Sequence, residues 1–479
     1  MFKNINCKNL PSLRRNIVYQ FLYELLIVFI PLFTIPYVSR VLGAENIGLF
    51  SYTYAVANYF VLFANLGIKN YGNNKEELNR NFSEILSIHI IFSIIVIFVY
   101  LVLLFFFVED NLVIFLIQSI YVFAAVFDIN WFFFGIEKFK LTVGRNTLVK
   151  ILSVFLVLVF VKTQTDLWIY ALILALSVFV GQSVVWFALK QYVSWRRPSW
   201  ANMKQHIRPL FVLFLPILAL SLYKYMDKIM LGSISSNVQV GFYENAEKII
   251  NVPMSLIMAF GVVLMPRIAN MVTSKDKGEV FKLIDMSMEA VMLLAIAISF
   301  GLAGISFVLA PIFFGYEFEE CGILIMGLAV TVPFMAFANV IRTQYLIPYK
   351  EDKIFVVSLF LGAAVNLIVN IILIPYMAAR GAVIGTIFAE IIVCIYQSYF
   401  VRKKIFIKKY LLNTIPPILI GIVMFVFVFQ IGNVMNINIV TLILQLLVGM
   451  FIYAVGVFLL MLKSRTRLMV LLRKFVVRY

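Results

Sequence analysis

Six ionisable side chains crowd one apolar stretch. LPILALSLYKYMDKIMLGSISSNVQVGFYENAEKIINVP (215–253) carries Lys224, Asp227, Lys228, Glu244, Glu247 and Lys248. A charge near the centre of a bilayer costs roughly 2.5–3.5 kcal/mol on insertion scales. None of the six can therefore face lipid; they face each other, another helix or a water-filled cavity. Residues three or four apart share a helix face. Lys224 and Lys228 thus share one, with Asp227 beside them, and Glu244 and Lys248 form an acid-first pair with Glu247 adjacent. The Gly/Ser turn expected at 232–238 separates the two sets. At ~1.5 Å per residue, Lys228 and Glu244 both lie roughly 6–8 Å from that turn, so the two sets sit at similar depth. Two readings stay open. Three bases and three acids can close into a salt-bridge cluster that locks two helices. They can also border a hydrated wall that meets an anionic group or titrates during transport.

Other polar residues interrupt apolar runs singly. Glu24 falls near the middle of the first run, Glu390 near the middle of the twelfth, and Asp128 in the fourth, just before Trp131. Glu24 and Glu390 suit either a cavity wall or ion coupling. Arg342 lies close to the end of its run, where a long cation can snorkel to the rim. Gly381 and Gly385 have the GxxxG spacing of closely packed helices. Pro31, Pro36, Pro216 and Pro253 remove helix hydrogen bonds and offer bending points.

Enzyme and cofactor signatures are lacking. Cys7, Cys321 and Cys394 are far apart, and with His89 and His206 they make no metal spacing. No phosphate-binding P-loop occurs. No cofactor is expected.

The elements that position these residues are membrane spans. The 479 residues are 63% hydrophobic and 13% charged, and a mean hydropathy of +1.00 excludes a soluble globule. A span needs about 20 mostly apolar residues. Fourteen are predicted, at 16–40, 47–68, 85–108, 112–135, 146–163, 167–189, 210–231, 239–263, 284–310, 323–346, 354–374, 381–401, 411–431 and 438–462. The first is too long for a signal peptide and reads as an uncleaved helix. Connections on the N-terminal side hold 32 Lys/Arg and those on the other side only Arg40, Lys162 and Arg380. This bias predicts both termini in the cytoplasm. It also accounts for most of the +17 formal charge without a nucleic-acid partner.

A repeat is visible. FIPLFTIPY in the first span parallels FLPILALSLY in the seventh, and IGLFSYTYAV (47–56) parallels VGFYENAEKI (240–249). WFFFGIEKFK (131–140) and QYLIPYKEDK (344–353) end the fourth and tenth. Six spans separate the copies, so they run in the same direction, related by an axis along the membrane normal. The expected fold is all-α, with two six-helix bundles in pseudo-two-fold symmetry, 1–208 and 209–409. Two further helices and a basic cytoplasmic tail follow at 410–479.

RVLGAENIGLFSYTYAV (40–56), DINWFFFGIEKFK (128–140), MDKIMLGSISSNVQVGFYENAEKI (226–249) and LIPYKEDK (346–353) resemble a Wzx-type polysaccharide flippase. That family lies in the multidrug/oligosaccharidyl-lipid/polysaccharide exporter superfamily. The resemblance implies a V-shaped pair of bundles around a cavity that opens alternately to each side. It implies a multi-pass protein of the bacterial plasma membrane and an undecaprenyl diphosphate-linked oligosaccharide as substrate. The lipid-linked unit would be moved outward for capsule, exopolysaccharide or O-antigen synthesis, with a proton or sodium ion as coupling ion. A polysaccharide polymerase and a chain-length regulator are implied partners. Lys224, Lys228 and Lys248 become candidates for contact with the diphosphate. A drug/cation antiporter of the same superfamily is the alternative, although a cation exporter would want a net acidic pocket. A membrane glycosyltransferase or polymerase is a further one, but it needs acidic catalytic residues in larger outer loops.

Overall fold

The computed structural model describes residues 10–71, 75–136, 138–193, 195, 197–273 and 277–463. Among them the chain is helical, with no strand. In order the helices are α1 (Leu10–Asn65), α2 (Ile68–Tyr71), α3 (Lys75–Phe107), α4 (Leu112–Val126), α5 (Asn130–Gly135), α6 (Phe139–Phe160), α7 (Leu167–Leu189) and α8 (Trp200–Ile234). Then follow α9 (Asn237–Thr273), α10 (Lys277–Phe314), α11 (Cys321–Ala329), α12 (Thr331–Ile341), α13 (Asp352–Met377), α14 (Ala379–Val401), α15 (Ile407–Val434) and α16 (Ile439–Lys463). The expected basic tail from 464 onward lies outside the described residues.

Among the described residues, thirteen segments are long and apolar enough to cross a membrane, against fourteen predicted. The difference lies in α1. Its 56 residues cover two expected spans. Straight, they would reach about 84 Å at ~1.5 Å per residue, far beyond the ~30 Å hydrocarbon core. The helix is broken at Gly43, with φ 76° and ψ 172°, a backbone region that a β-carbon disfavours. Tyr37 donates to the Val161 carbonyl at 2.6 Å and Asn46 to the Gln164 carbonyl at 3.0 Å. Residues on both sides of Gly43 therefore meet the same short connection. The break makes α1 the two crossings read from the sequence.

Three other expected spans differ in detail. The fourth is split into α4 and α5 at Phe127–Ile129. The fifth, α6, starts seven residues earlier than the 146 expected, because the helix continues through Gly144 and Arg145. The tenth is assembled from α11, α12 and a π-helical turn at Arg342–Leu346.

The chain forms two compact units, Met1–Ile229 and Met230–Tyr479, with the division inside α8. In the first unit Phe82, Trp131, Phe132 and Phe133 are fully buried and share one apolar cluster. The first three aromatics of the WFFF run, Trp131, Phe132 and Phe133, are thus core packing that fixes α5 against α3. In the second unit Ile305, Met424 and Val428 join α10 to α15. There, too, a β-carbon at Gly381 would fall 2.7 Å from the Leu373 carbonyl, and one at Gly385 would fall 2.2 Å from Asn370 Oδ1. Both glycines bring α14 close onto α13, as the GxxxG spacing predicts. Large apolar side chains such as Phe105 and Phe187 are strongly exposed, as an outer surface facing lipid requires.

Candidate functional site

In the first unit the candidates come from α8, α1 and the α4–α5 break. Lys224, Asp227 and Lys228 all lie on α8 but in different surroundings. Lys224 is exposed, with its ammonium 5.4 Å from the Tyr225 ring. Asp227 and Lys228 are 4% and 7% exposed. Tyr59 of α1 packs its ring edge-on against Tyr225 at 5.8 Å and donates to the Leu222 carbonyl at 3.4 Å. Its hydroxyl is within electrostatic reach of Asp227. Tyr59 thus stands beside Asp227 and Tyr225 beside Lys224. An ionised side chain buried this far needs partners to offset its desolvation.

Asp128 is 2% exposed and sits where α4 ends and α5 begins. Its Oδ1 accepts from the Asn130 backbone N–H at 3.1 Å and from the Asn130 amide at 2.7 Å. Asn130 Oδ1 in turn accepts from Arg145 Nη2 of α6 at 2.9 Å. A carboxylate, an amide and a guanidinium therefore form a ladder across the helix break. Arg145 was read from the sequence as a residue of the 136–145 connection. The early start of α6 carries it inside, within hydrogen-bonding distance of Asn130.

In the second unit the α9 charges keep the local pairing read from the sequence. Lys248 Nζ lies 3.1 Å from Glu244 Oε1, and both side chains are half-buried. Glu247 is half-buried beside them. Glu390 of α14 is 6% exposed. It is within electrostatic reach of Arg342, a juxtaposition that sequence spacing could not supply. Arg342 begins the π-helical turn, donates to Asn339 Oδ1 at 2.9 Å and lies 5.3 Å from the Phe355 ring. Gln344 on the same turn is fully buried, and neither of its amide atoms has a hydrogen-bond partner among the described residues. Such π turns recur at functional positions. Asn339 and Gln344 were missed from the sequence, although two amides flanking an arginine in an apolar run were a usable signal. Glu24 lies on α1, but its side chain is outside the described residues. The six charges of 215–253 fall on both sides of the Ile229/Met230 division, the first three in one unit and the last three in the other.

No group of three or more His, Cys, Asp or Glu suited to a metal ion occurs among the described residues. The arrangement offers cations, acids and amides at membrane depth. Those groups can bind and orient a polar, charged cargo.

A putative O-antigen transporter of Escherichia coli (strain K12) is 26% identical over 411 residues, covering 83% of this chain and 98% of its own. One of Shigella dysenteriae is 23% identical over 407 residues, covering 80% and 99%. Among solved structures, the lipid II flippase MurJ in an inward closed conformation superposes with a TM-score of 0.71 at 15% identity, covering 92% of this chain and 97% of that one. An inward-facing multidrug resistance MATE transporter gives 0.61 at 13% identity, covering 80% and 97%. These likenesses fix the fold as the one shared by MurJ and MATE proteins. The family described as "Polysaccharide biosynthesis protein" matches residues 13–272. That match takes in more than half of the chain, the Gly43 break, the Asp128 ladder and all six charges of 215–253, and so this membrane protein belongs to the polysaccharide biosynthesis protein family.

Proposed function

We propose that the protein is a flippase for lipid-linked oligosaccharides. Its cargo would be an undecaprenyl diphosphate-linked repeat unit, moved from the cytoplasmic to the outer face of a bacterial plasma membrane by alternating access. The observation that carries this reading is the burial of Asp227 and Lys228 at membrane depth, in a chain whose full-length relatives are named O-antigen transporters. A sugar diphosphate must cross about 30 Å of hydrocarbon. Lysine meets phosphate as a point charge, so Lys224, Lys228 and Lys248 serve as anion contacts, with Asp227, Glu244 and Glu247 as counter-charges. The second unit also has an apolar groove of about 900 Å³ between α10, α15 and α16, lined by Leu294, Met450 and Val457 among others. It suits a prenyl chain while the head travels through polar surroundings.

The charge bias of the connections supports termini in the cytoplasm. No covalent step is needed, so the protein acts as a transporter and not as an enzyme. Rearrangement draws on a proton or sodium gradient or on the cargo's own gradient. A polymerase and a chain-length regulator would use the exported unit, for O-antigen, capsule or exopolysaccharide.

Lys228→Ala and Lys248→Ala, each present as folded protein, are expected to lower surface polysaccharide at least tenfold in a strain that depends on this chain. Unchanged polysaccharide in the double variant would sink the reading. The resemblance to a MATE structure keeps a drug/cation antiporter as the second reading. Resistance to cationic dyes on expression, with no polysaccharide phenotype, would favour it.

A further inference from the structure

A second apolar cavity, of about 430 Å³, lies in the same unit on the other face of α10. The first groove uses Leu294, Ala297 and Gly301 of that helix, and this one uses Met292, Ile296 and Ala303. On α15 it is bordered from Leu411 through Thr414 and Ile418 to Phe425. Fourteen residues rise about 21 Å, enough to run the depth of one leaflet, which is about half of the ~30 Å core. Its two bordering hydroxyls are already satisfied. Ser299 donates to the Ala329 carbonyl and Thr414 to the Tyr410 carbonyl, both at 2.7 Å. The cavity thus offers an incoming group a greasy wall and no open polar atom from either hydroxyl.

The connection at one end of this wall is different. α14 contributes Cys394 to the cavity and α15 contributes Leu411, and the loop joining these helices reads RKKIFIKK from Arg402 to Lys409. Every cation in it is exposed. Two are engaged: Lys409 is 2.7 Å from Asp285, and Arg402 stacks 3.9 Å from the Tyr399 ring. Lys403, Lys404 and Lys408 have no carboxylate partner among the described residues. The loop is held in place, with Ile405 2% exposed and the Lys404 and Ile405 N–H groups both bonded to the Val401 carbonyl. Lys408 precedes Leu411 by three residues and shares its face. Three such cations therefore lie in the loop that leads into Leu411, at one end of the cavity's α15 wall. Neither half alone specifies a ligand. Together they match a molecule with an anionic head and an apolar chain.

We propose that loop 402–409 and the cavity along α15 form a site for an anionic phospholipid of the leaflet on the lysine-rich side. The phosphate rests on Lys403, Lys404 and Lys408, and one acyl chain lies against Leu411, Ile418 and Phe425. A bound lipid there fills the space between α15 and the α10–α12 and α14 wall. It makes the packing of α15 depend on lipid composition.

The test is native mass spectrometry of the purified full-length protein titrated with phosphatidylglycerol or phosphatidylcholine of matched chains. Wild type is expected to retain phosphatidylglycerol about tenfold better, since cations near an anionic head contribute severalfold each. The triple variant K403Q/K404Q/K408Q loses that preference. Ala303→Phe, which narrows the channel, weakens retention with the lysines intact, and Ala303→Leu does so to a smaller degree if the larger change unfolds the protein. Equal retention of the two lipids by wild type, or a preference that survives the triple variant, overturns the proposal. So does displacement of phosphatidylglycerol by one equivalent of undecaprenyl phosphate, which would reassign the site to the carrier lipid. None of these readouts depends on transport, so they stand or fall apart from the flippase reading.

Discussion

The Glu244–Lys248 pair on α9 and the Asp128–Asn130–Arg145 ladder hold charge at membrane depth in different ways. The first is local: one helix, one turn, 3.1 Å, with the Lys248 side chain 33% exposed and that of Glu244 14%. The second spans a helix break and two helices, with Asp128 almost fully enclosed. A local pair with an open lysine can exchange its partner for a cargo or an ion at a smaller cost than an enclosed one, because i,i+4 pairs on one helix contribute only a few tenths of a kcal/mol. An enclosed ladder cannot, because any group left behind would be buried and unsatisfied. The α9 pair is therefore suited to function and the ladder to structure, although both join an acid to a base.

That division can be broken by substitution. Asp128→Ala should have the largest effect on stability, about 2–3 kcal/mol, because two hydrogen bonds to a charged acceptor disappear. The heating midpoint of the detergent-solubilised protein would fall, and Asp128→Asn, which keeps an acceptor oxygen, should recover about half. Arg145→Ala should fall in the same range, and the double variant should cost less than the sum if the ladder is one unit. Next comes Gly385→Ala, a packing lesion without any charge change. Its β-carbon would meet Asn370 and should cost about 1–2 kcal/mol. The smallest stability effect belongs to Glu244→Gln, below about 0.5 kcal/mol. The same variant should nonetheless change polysaccharide export measurably. A Glu244→Gln protein that melts normally and exports normally would erase the distinction.

What could be read from the sequence was what depends on neighbours along the chain. The spans follow from runs of about 20 apolar residues, the turn between α8 and α9 from its Gly and Ser, and the Glu244–Lys248 pair and the close packing at Gly381 and Gly385 from four-residue spacings. The α8 lysines show the limit. Spacing puts Lys224 and Lys228 on one face, yet one is exposed and the other buried, because helical period is silent on which neighbour covers which turn. Asn130 and Arg145 are fifteen residues apart, and their contact needs both the break at Phe127–Ile129 and the early start of α6. Arg342 and Glu390 lie on helices separated by the whole of α13. The π turn at Arg342–Leu346 has no period of its own in the sequence.

Gly43 carries a further consequence. A chain that weaves through a membrane obeys parity: each added or lost crossing swaps the side on which every later connection emerges. By bending α1 into two legs, one glycine sets that parity before most of the protein follows. The proposed placement of the later lysine-rich connections on the same side as the N-terminus rests on that bend. Straightened there by a β-branched residue, the same polypeptide would have to thread its whole remainder inside out.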